Sequence, residues 1–195
     1  MKYKELISMD FSDFMKGLFE LSEPFIPFVH QAYRAINQKN INKKLMTHEK
    51  KIKEILISAN NSAAREFFFM KLTPIVFEKM INEHEDDKID FILNGYENCI
   101  RNEITDLDKI LFYFDIISNL RVLELKRFIS HANIINVPLV TPEENSEEAM
   151  ILKSIDEKLH REGFIGFPEF MGQADFSEPA QLSKKGNFLL KFINE

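Results

Sequence analysis

Apolar residues recur at helical spacing along most of this chain, and the polar breaks between the runs separate one element from the next. Between Glu83 and Ala132 three such runs follow one another. Ile89, Ile92, Leu93, Tyr96 and Ile100 form the first stripe, Leu107, Ile110, Leu111, Phe114 and Ile117 the second, and Leu125, Phe128 and Ile129, with Val122 or Leu123, the third. Recurrence at i, i+3, i+4 and i+7 predicts one buried face per helix. Asp86 or Asp87 is expected to start the first helix, Thr105 or Asp106 to cap the second, and Asn119 to cap the third. Connections this short make neighbouring helices pack on one another as a local array.

Upstream, Phe11, Phe14, Met15, Leu18 and Phe19 predict a short amphipathic helix, and Val29, Ala32, Tyr33 and Ile36 a second. Thr47 is placed to cap a third, whose buried stripe is Ile52, Ile55, Leu56 and Ala59. The next segment is apolar on more than one face through Ala63, Ala64, Phe67, Phe68, Leu72, Ile75, Val76 and Met80, which predicts the central helix. Pro74 inside that pattern is expected to kink it, or to restart it with Thr73 as cap.

Beyond Ala132 the texture changes. An extended, proline-bounded stretch leads to Thr141, Pro142, Glu143 and Glu144, a helix start continued by Ala149, Leu152, Ile155 and Leu159 and stopped at Gly163. GFIGFPEF is the strand candidate, and Leu182 to Gly186 leads into a final helix with Phe188, Leu189, Phe192 and Ile193 on one side. The expected fold is all-α, or mainly α. It is an array of about seven helices over residues 1–132, with a small C-terminal α/β unit over residues 133–195 that contains a short strand or hairpin.

Composition narrows the function classes. Among 195 residues there are 19 Phe and 8 Met but only 6 Gly, too few for a hairpin-rich sheet or a glycine-rich phosphate loop. A net charge of -6 disfavours a protein that coats nucleic acid, while leaving room for a local basic face. The lone Cys99 fits a reducing compartment. No stretch has the roughly 20 apolar residues of a membrane span, and the N-terminus lacks a signal-peptide pattern, so a cytoplasmic protein is expected.

Candidate chemistry is sparse. Arg34, Lys39, Lys43, Lys44, Lys50, Lys51 and Lys53 face a single acid, Glu49, and form either a solvated helix face or a site for an acidic partner or nucleic-acid phosphates. No aromatic residue lies between Lys39 and Lys53 to stack on bases. His84, Glu85, Asp86 and Asp87 are adjacent and point in different directions, so they do not converge on one metal. Glu157 and His160 form one Glu-x-x-His pair where di-metal bundles need two. Asp108 and Asp115 share a helix face, and Cys99 lies beside an apolar stripe as a buried thiol. No metal and no cofactor is expected.

Arg127 and His131 resemble the Arg/His pair of small helical ribonucleases of toxin and defence systems, but only Phe128, Ile129 and Ser130 separate them, a shorter spacing than that family uses. At the C-terminus, Leu159, Gly163, Phe164 and Ile165 followed by Leu182, Ser183, Gly186, Leu189 and Ile193 resemble the second half of bacterial winged-helix domains. They are also similar to the tail of an uncharacterised bacterial family of helical proteins found near mobile elements and phage. The resemblance implies a winged-helix-like unit in which Lys184 and Lys185 contribute to any nucleic-acid surface. Here the helix that would read bases opens with Glu143, Glu144, Glu147 and Glu148, which repel phosphates and favour a packing or protein-contact role. The function expected is therefore non-enzymatic: an interaction or regulatory protein whose partner is another protein or a second copy of itself. A nucleic-acid-binding regulator and a ribonuclease-like effector are the alternatives.

Overall fold

The computed structural model describes residues 46–132, 146–170, 173–174 and 180–194. The helices expected over residues 11–38, the basic residues Arg34, Lys39, Lys43 and Lys44, and the helix start expected at Thr141 to Glu144 lie outside them. The fold is all-α with a small antiparallel β element near the C-terminus. It divides into two compact units, with the boundary between Asp115 and Ile116.

The first unit contains α1 (Glu49–Asn61), α2 (Arg65–Phe67), a π-helical turn (Phe68–Leu72), α3 (Thr73–Asn82), α4 (Lys88–Arg101) and the start of α5 (Leu107–Asn119). The stripes expected for α1 and α4 are buried residue for residue: Ile52, Ile55, Leu56 and Ala59 on one, Ile89, Ile92, Leu93, Tyr96 and Ile100 on the other. The packing makes α4 the central helix of this unit, because it lies against both α1 and α3.

Pro74 stands in the first turn of α3, directly after the π turn, and Leu72 rather than Thr73 occupies the N-cap position. The pyrrolidine has no N–H and its ring collides with the carbonyl one α-turn back, so the helix widens ahead of it into the π turn. Thr73 bonds backward instead of capping forward. Its backbone N–H and its hydroxyl, at 2.8 Å, both donate to the Phe68 carbonyl, and the hydroxyl oxygen lies 2.6 Å from the Tyr96 phenol of α4. All of this is buried, which raises the Tyr96 phenol above its ordinary pKa although the Thr73 bond pulls the other way.

Helix ends follow local chemistry, with some differences from expectation. Asp106 caps α5 through the Lys109 N–H, but the N-cap positions of α1 and α6 are His48 and Arg121, not Thr47 or Asn119. Ahead of α4, the Glu83 carboxylate accepts the His84 and Glu85 N–H groups. At the other end of α4, the Ile104 N–H reaches the Cys99 carbonyl and the Glu103 N–H reaches that of Ile100, a Schellman closure that requires Glu103 to be left-handed, at φ 49°. A glycine is usual at that position. Here the position is a glutamate, whose side chain accepts from the Ser62 hydroxyl and the Ala63 N–H and so ties down the turn between α1 and α2.

The second unit contains the end of α5, then α6 (Val122–His131), α7 (Glu147–Arg161), strands β1 (Ile165–Gly166), β2 (Glu169–Phe170), β3 (Gln173–Ala174) and β4 (Gln181–Leu182), and α8 (Lys184–Asn194). Ser146 caps α7 by accepting the Ala149 N–H. β1 pairs with β4 antiparallel, Ile165 opposite Leu182, and β2 pairs with β3 antiparallel, Glu169 opposite Ala174. Leu189, Phe192 and Ile193 of the final helix are buried as expected, but Phe188 is not. Gly186, Leu189, Leu190 and Ile193 define the centre of the buried face and leave Phe188 outside it.

The Glu103 turn makes a discriminating prediction. Glu103→Ala keeps the left-handed strain and loses both hydrogen bonds, and is expected to destabilise the protein by about 1 kcal/mol. Glu103→Gly loses the same bonds but relieves the strain, and should be the milder variant in urea unfolding.

Candidate functional site

In the second unit the three side chains that sequence pattern leaves scattered come together. Arg127 and His131 sit one helical turn apart on α6, so both reach the same strip of α7, where Asp156 stands beside Ile155 on the buried face. Arg127 grips the carboxylate with two donors, Nε to Oδ1 at 2.8 Å and Nη2 to Oδ2 at 2.5 Å. His131 Nε2 lies 2.8 Å from Oδ1. The Asp156 carboxylate is held ionised, so Nε2 carries the proton and donates. Burial alone would raise the Asp156 pKa, but the hydrogen bonds and charges of Arg127 and His131 outweigh it and hold the carboxyl below its usual range. One turn earlier on the same seam, Lys158 donates to Glu124 at 2.6 Å, and Glu124 also accepts the Arg121 N–H at the start of α6.

This geometry determines what the cluster can do. Side-chain exposure is 4% for His131, 15% for Arg127 and 11% for Asp156. A ribonuclease pair must present an acid–base imidazole and a phosphate-binding guanidinium to one substrate. Here both point into a single carboxylate, and the arrangement acts as a charge-assisted latch between two helices.

Beyond the latch, the Phe167 ring meets the His131 ring edge-on at 6.3 Å and that of His160 at 5.7 Å. Phe167 is also a wall of a shallow groove of about 350 Å³, together with Gly166, Pro168, Gln181, Leu182 and Ser183. Leu182 and Ser183, from the Leu-Ser-x-x-Gly residues that carried the winged-helix likeness, form one side of it, and that motif is a structural joint. Ser183 N–H donates to the Phe164 carbonyl at 3.0 Å, while its hydroxyl donates to the Gly163 carbonyl at 2.6 Å and accepts the Gly186 N–H at 3.0 Å, capping α8. Gly163 ends α7 in a Schellman turn at φ 76°. At Gly186 a Cβ would overlap the Phe164 carbonyl oxygen, so only glycine fits.

The basic candidates separate in the same way. Lys185 donates to the Glu162 carbonyl at 2.8 Å and lies 4.1 Å over the Phe164 ring, which makes it part of the joint. Lys184 is exposed. In the first unit Lys51 bonds Asn94 of α4, the buried Lys53 pairs with Glu49, and Lys50 is exposed beside Glu54. Lys43 and Lys44 lie outside the described residues. Cys99 is buried and its thiol is pushed up to about 12, which leaves it unreactive near neutrality. Among the described residues, no group of three or more His, Cys, Asp and Glu side chains is placed to hold a metal ion, and no helix is long and apolar enough to cross a membrane.

No family model, curated protein or solved structure matches this chain.

Sequence pattern did not single out Asp156 or Glu124. The available signal was an acid lying on the apolar stripe of its own helix: Asp156 among Leu152, Ile155 and Leu159, and Glu124 beside Leu125.

The latch predicts a specific pH dependence. Because the folded pKa of Asp156 is depressed, its contribution is fully present above the unfolded value of about 4 and is lost as pH falls through the folded value. Asp156→Ala leaves the Arg127 charge without its carboxylate and is expected to cost about 3 kcal/mol at neutral pH. The gap between wild type and variant should shrink as pH drops below about 4, as measured by urea unfolding at a series of pH values.

Proposed function

We propose that this chain is a helical protein-interaction module with a regulatory role and not an enzyme. The observation that supports this reading is the distribution of its phenylalanines. Phe68, Phe69, Phe77, Phe114, Phe128, Phe164, Phe167 and Phe192 are buried, whereas Phe112 on α5 and Phe188 on α8 are 51% and 59% exposed. An aromatic ring left in water on an ordered helix costs free energy that a partner surface would recover, and aromatic residues concentrate at the centres of protein interfaces. The pairing of Arg127 and His131 with Asp156 favours the same reading, since it leaves neither side chain available to a substrate. A link to mobile elements or defence is supported by the C-terminal resemblance alone.

A second reading, nucleic-acid binding through α8, is favoured by three lysines and no acid on that helix around an exposed aromatic ring. The chain's net charge of -6 and the use of Lys185 in the joint oppose it.

Affinity capture with the full chain tests the interaction reading. Wild type is expected to retain a specific protein that Phe112→Ser or Phe188→Ser loses, while circular dichroism and melting stay unchanged. Identical retention by all three proteins, or none by any, sinks it. For the second reading, a gel shift on RNA and DNA at low salt should show retardation that falls steeply as salt rises, and its absence removes that alternative.

A further inference from the structure

Two exposed helical faces of this chain carry the same side-chain spacing with opposite charge. On α8, Lys184, Phe188 and Lys191 stand at i, i+4 and i+7, which is one stripe of a helix, and all three are exposed. On α5, Asp108, Phe112 and Asp115 stand at i, i+4 and i+7, and all three are exposed. Each stripe sets one of the two most exposed phenylalanines among the described residues between two like charges. Asp115 accepts from Lys79 of α3 at 2.9 Å, but its side chain remains 64% exposed and has acceptor positions facing water.

We propose that the two stripes are the halves of one interface, in which α8 of one copy of this chain docks on α5 of a second copy. Phe188 packs on Phe112, and the lysines meet the aspartates at either end. This rests on the interaction reading above and names the chain itself as the partner. A surface that suits α8 must offer an apolar centre with an acid roughly a turn away on each side. α5 offers it at the identical spacing, so a single placement satisfies all three contacts. With the helices parallel the charges register directly, and with them antiparallel each pair is offset by one residue rise, about 1.5 Å, well within the reach of a lysine stem.

One helix laid on another buries less than the roughly 1,200 Å² of a standard interface, so the association is expected to be weak and concentration-dependent. Salt is a poor diagnostic. It screens the local Lys–Asp attraction and also the mutual repulsion of two chains of net charge -6. Exchange of the charges separates the two.

Sedimentation velocity on the full chain, from micromolar to near-millimolar concentration, tests the proposal. Wild type should shift to heavier species as concentration rises. Lys184→Glu with Lys191→Glu, and separately Asp108→Lys with Asp115→Lys, should each weaken association at least about tenfold, since like charges then face each other across the interface. An equal mixture of the two variants should regain it, because each reversed stripe meets its reversed counterpart. A wild type that stays monomeric throughout, variants that associate like wild type, or a mixture that does not recover would each overturn the proposal. If the monomeric protein still captures a partner that Phe112→Ser or Phe188→Ser loses, the interaction reading stands and self-docking falls. If α8 retards RNA, loses this with Lys184→Glu and Lys191→Glu, and no self-association is seen, self-docking falls in favour of nucleic acid.

Discussion

Five side chains of the lysine, histidine, aspartate and glutamate types lie buried among the described residues, and each is met by another charged or ionisable side chain. Lys53 meets Glu49, Lys88 meets Glu83 and Glu85, Glu124 meets Lys158, and Asp156 meets both Arg127 and His131. Taking a lone charge out of water costs several kcal/mol, more than most single contacts return. Helices carrying such residues therefore have few acceptable ways to lie together. Among the described residues no buried side-chain nitrogen or oxygen lacks a partner. Apolar stripes bring the helices into contact, and between α6 and α7 the pairing of Glu124 with Lys158 and of Asp156 with Arg127 and His131 selects the register in which they stay.

The same constraint separates structure from function here. A charged residue already held by a partner inside the protein has less left to offer a substrate or a second molecule. Arg127, His131, Lys51, Lys53 and Lys185 are of this kind, and each had looked chemically promising in one dimension. Lys184, Lys191 and the Asp108–Phe112–Asp115 stripe lie on the water-facing sides of α8 and α5.

Much of the fold was legible because it rests on local periodicity. The buried faces of α1 and α4 could be read directly, as could the Asp106 cap and the Gly163 stop, since each depends on residues within a few positions. Harder to read were arrangements set by distant partners. Asp156 is 29 residues from Arg127, and nothing near it in sequence announces the pair. Glu103 looks like an ordinary loop acid until Ser62 and Ala63 arrive to use it. β4 was invisible as a strand because Gln181 and Leu182 pair only once Ile165 and Gly166 are in place. Phe188 was assigned to the wrong face because a stripe drawn through phenylalanines ignored the contribution of a residue with no side chain, Gly186.

The π turn can also be seen as a correction of phase. The buried residues of the segment fall in two columns, Phe68, Leu72, Val76 and Met80, and Phe69, Thr73 and Phe77, with a repeat of four. On a regular helix each step of four overshoots a full turn by about 40°, so the first column would drift by about 120° over its length. One residue accommodated in the wider turn cancels most of that drift and straightens both columns. What the sequence presents as a helix apolar on more than one face is one seam written in a different period. Deleting Met70 or Lys71 would place Phe68, Leu72, Val76 and Met80 at i, i+3, i+7 and i+11, one face of a regular helix, so the seam would outlast the wider turn that now carries it.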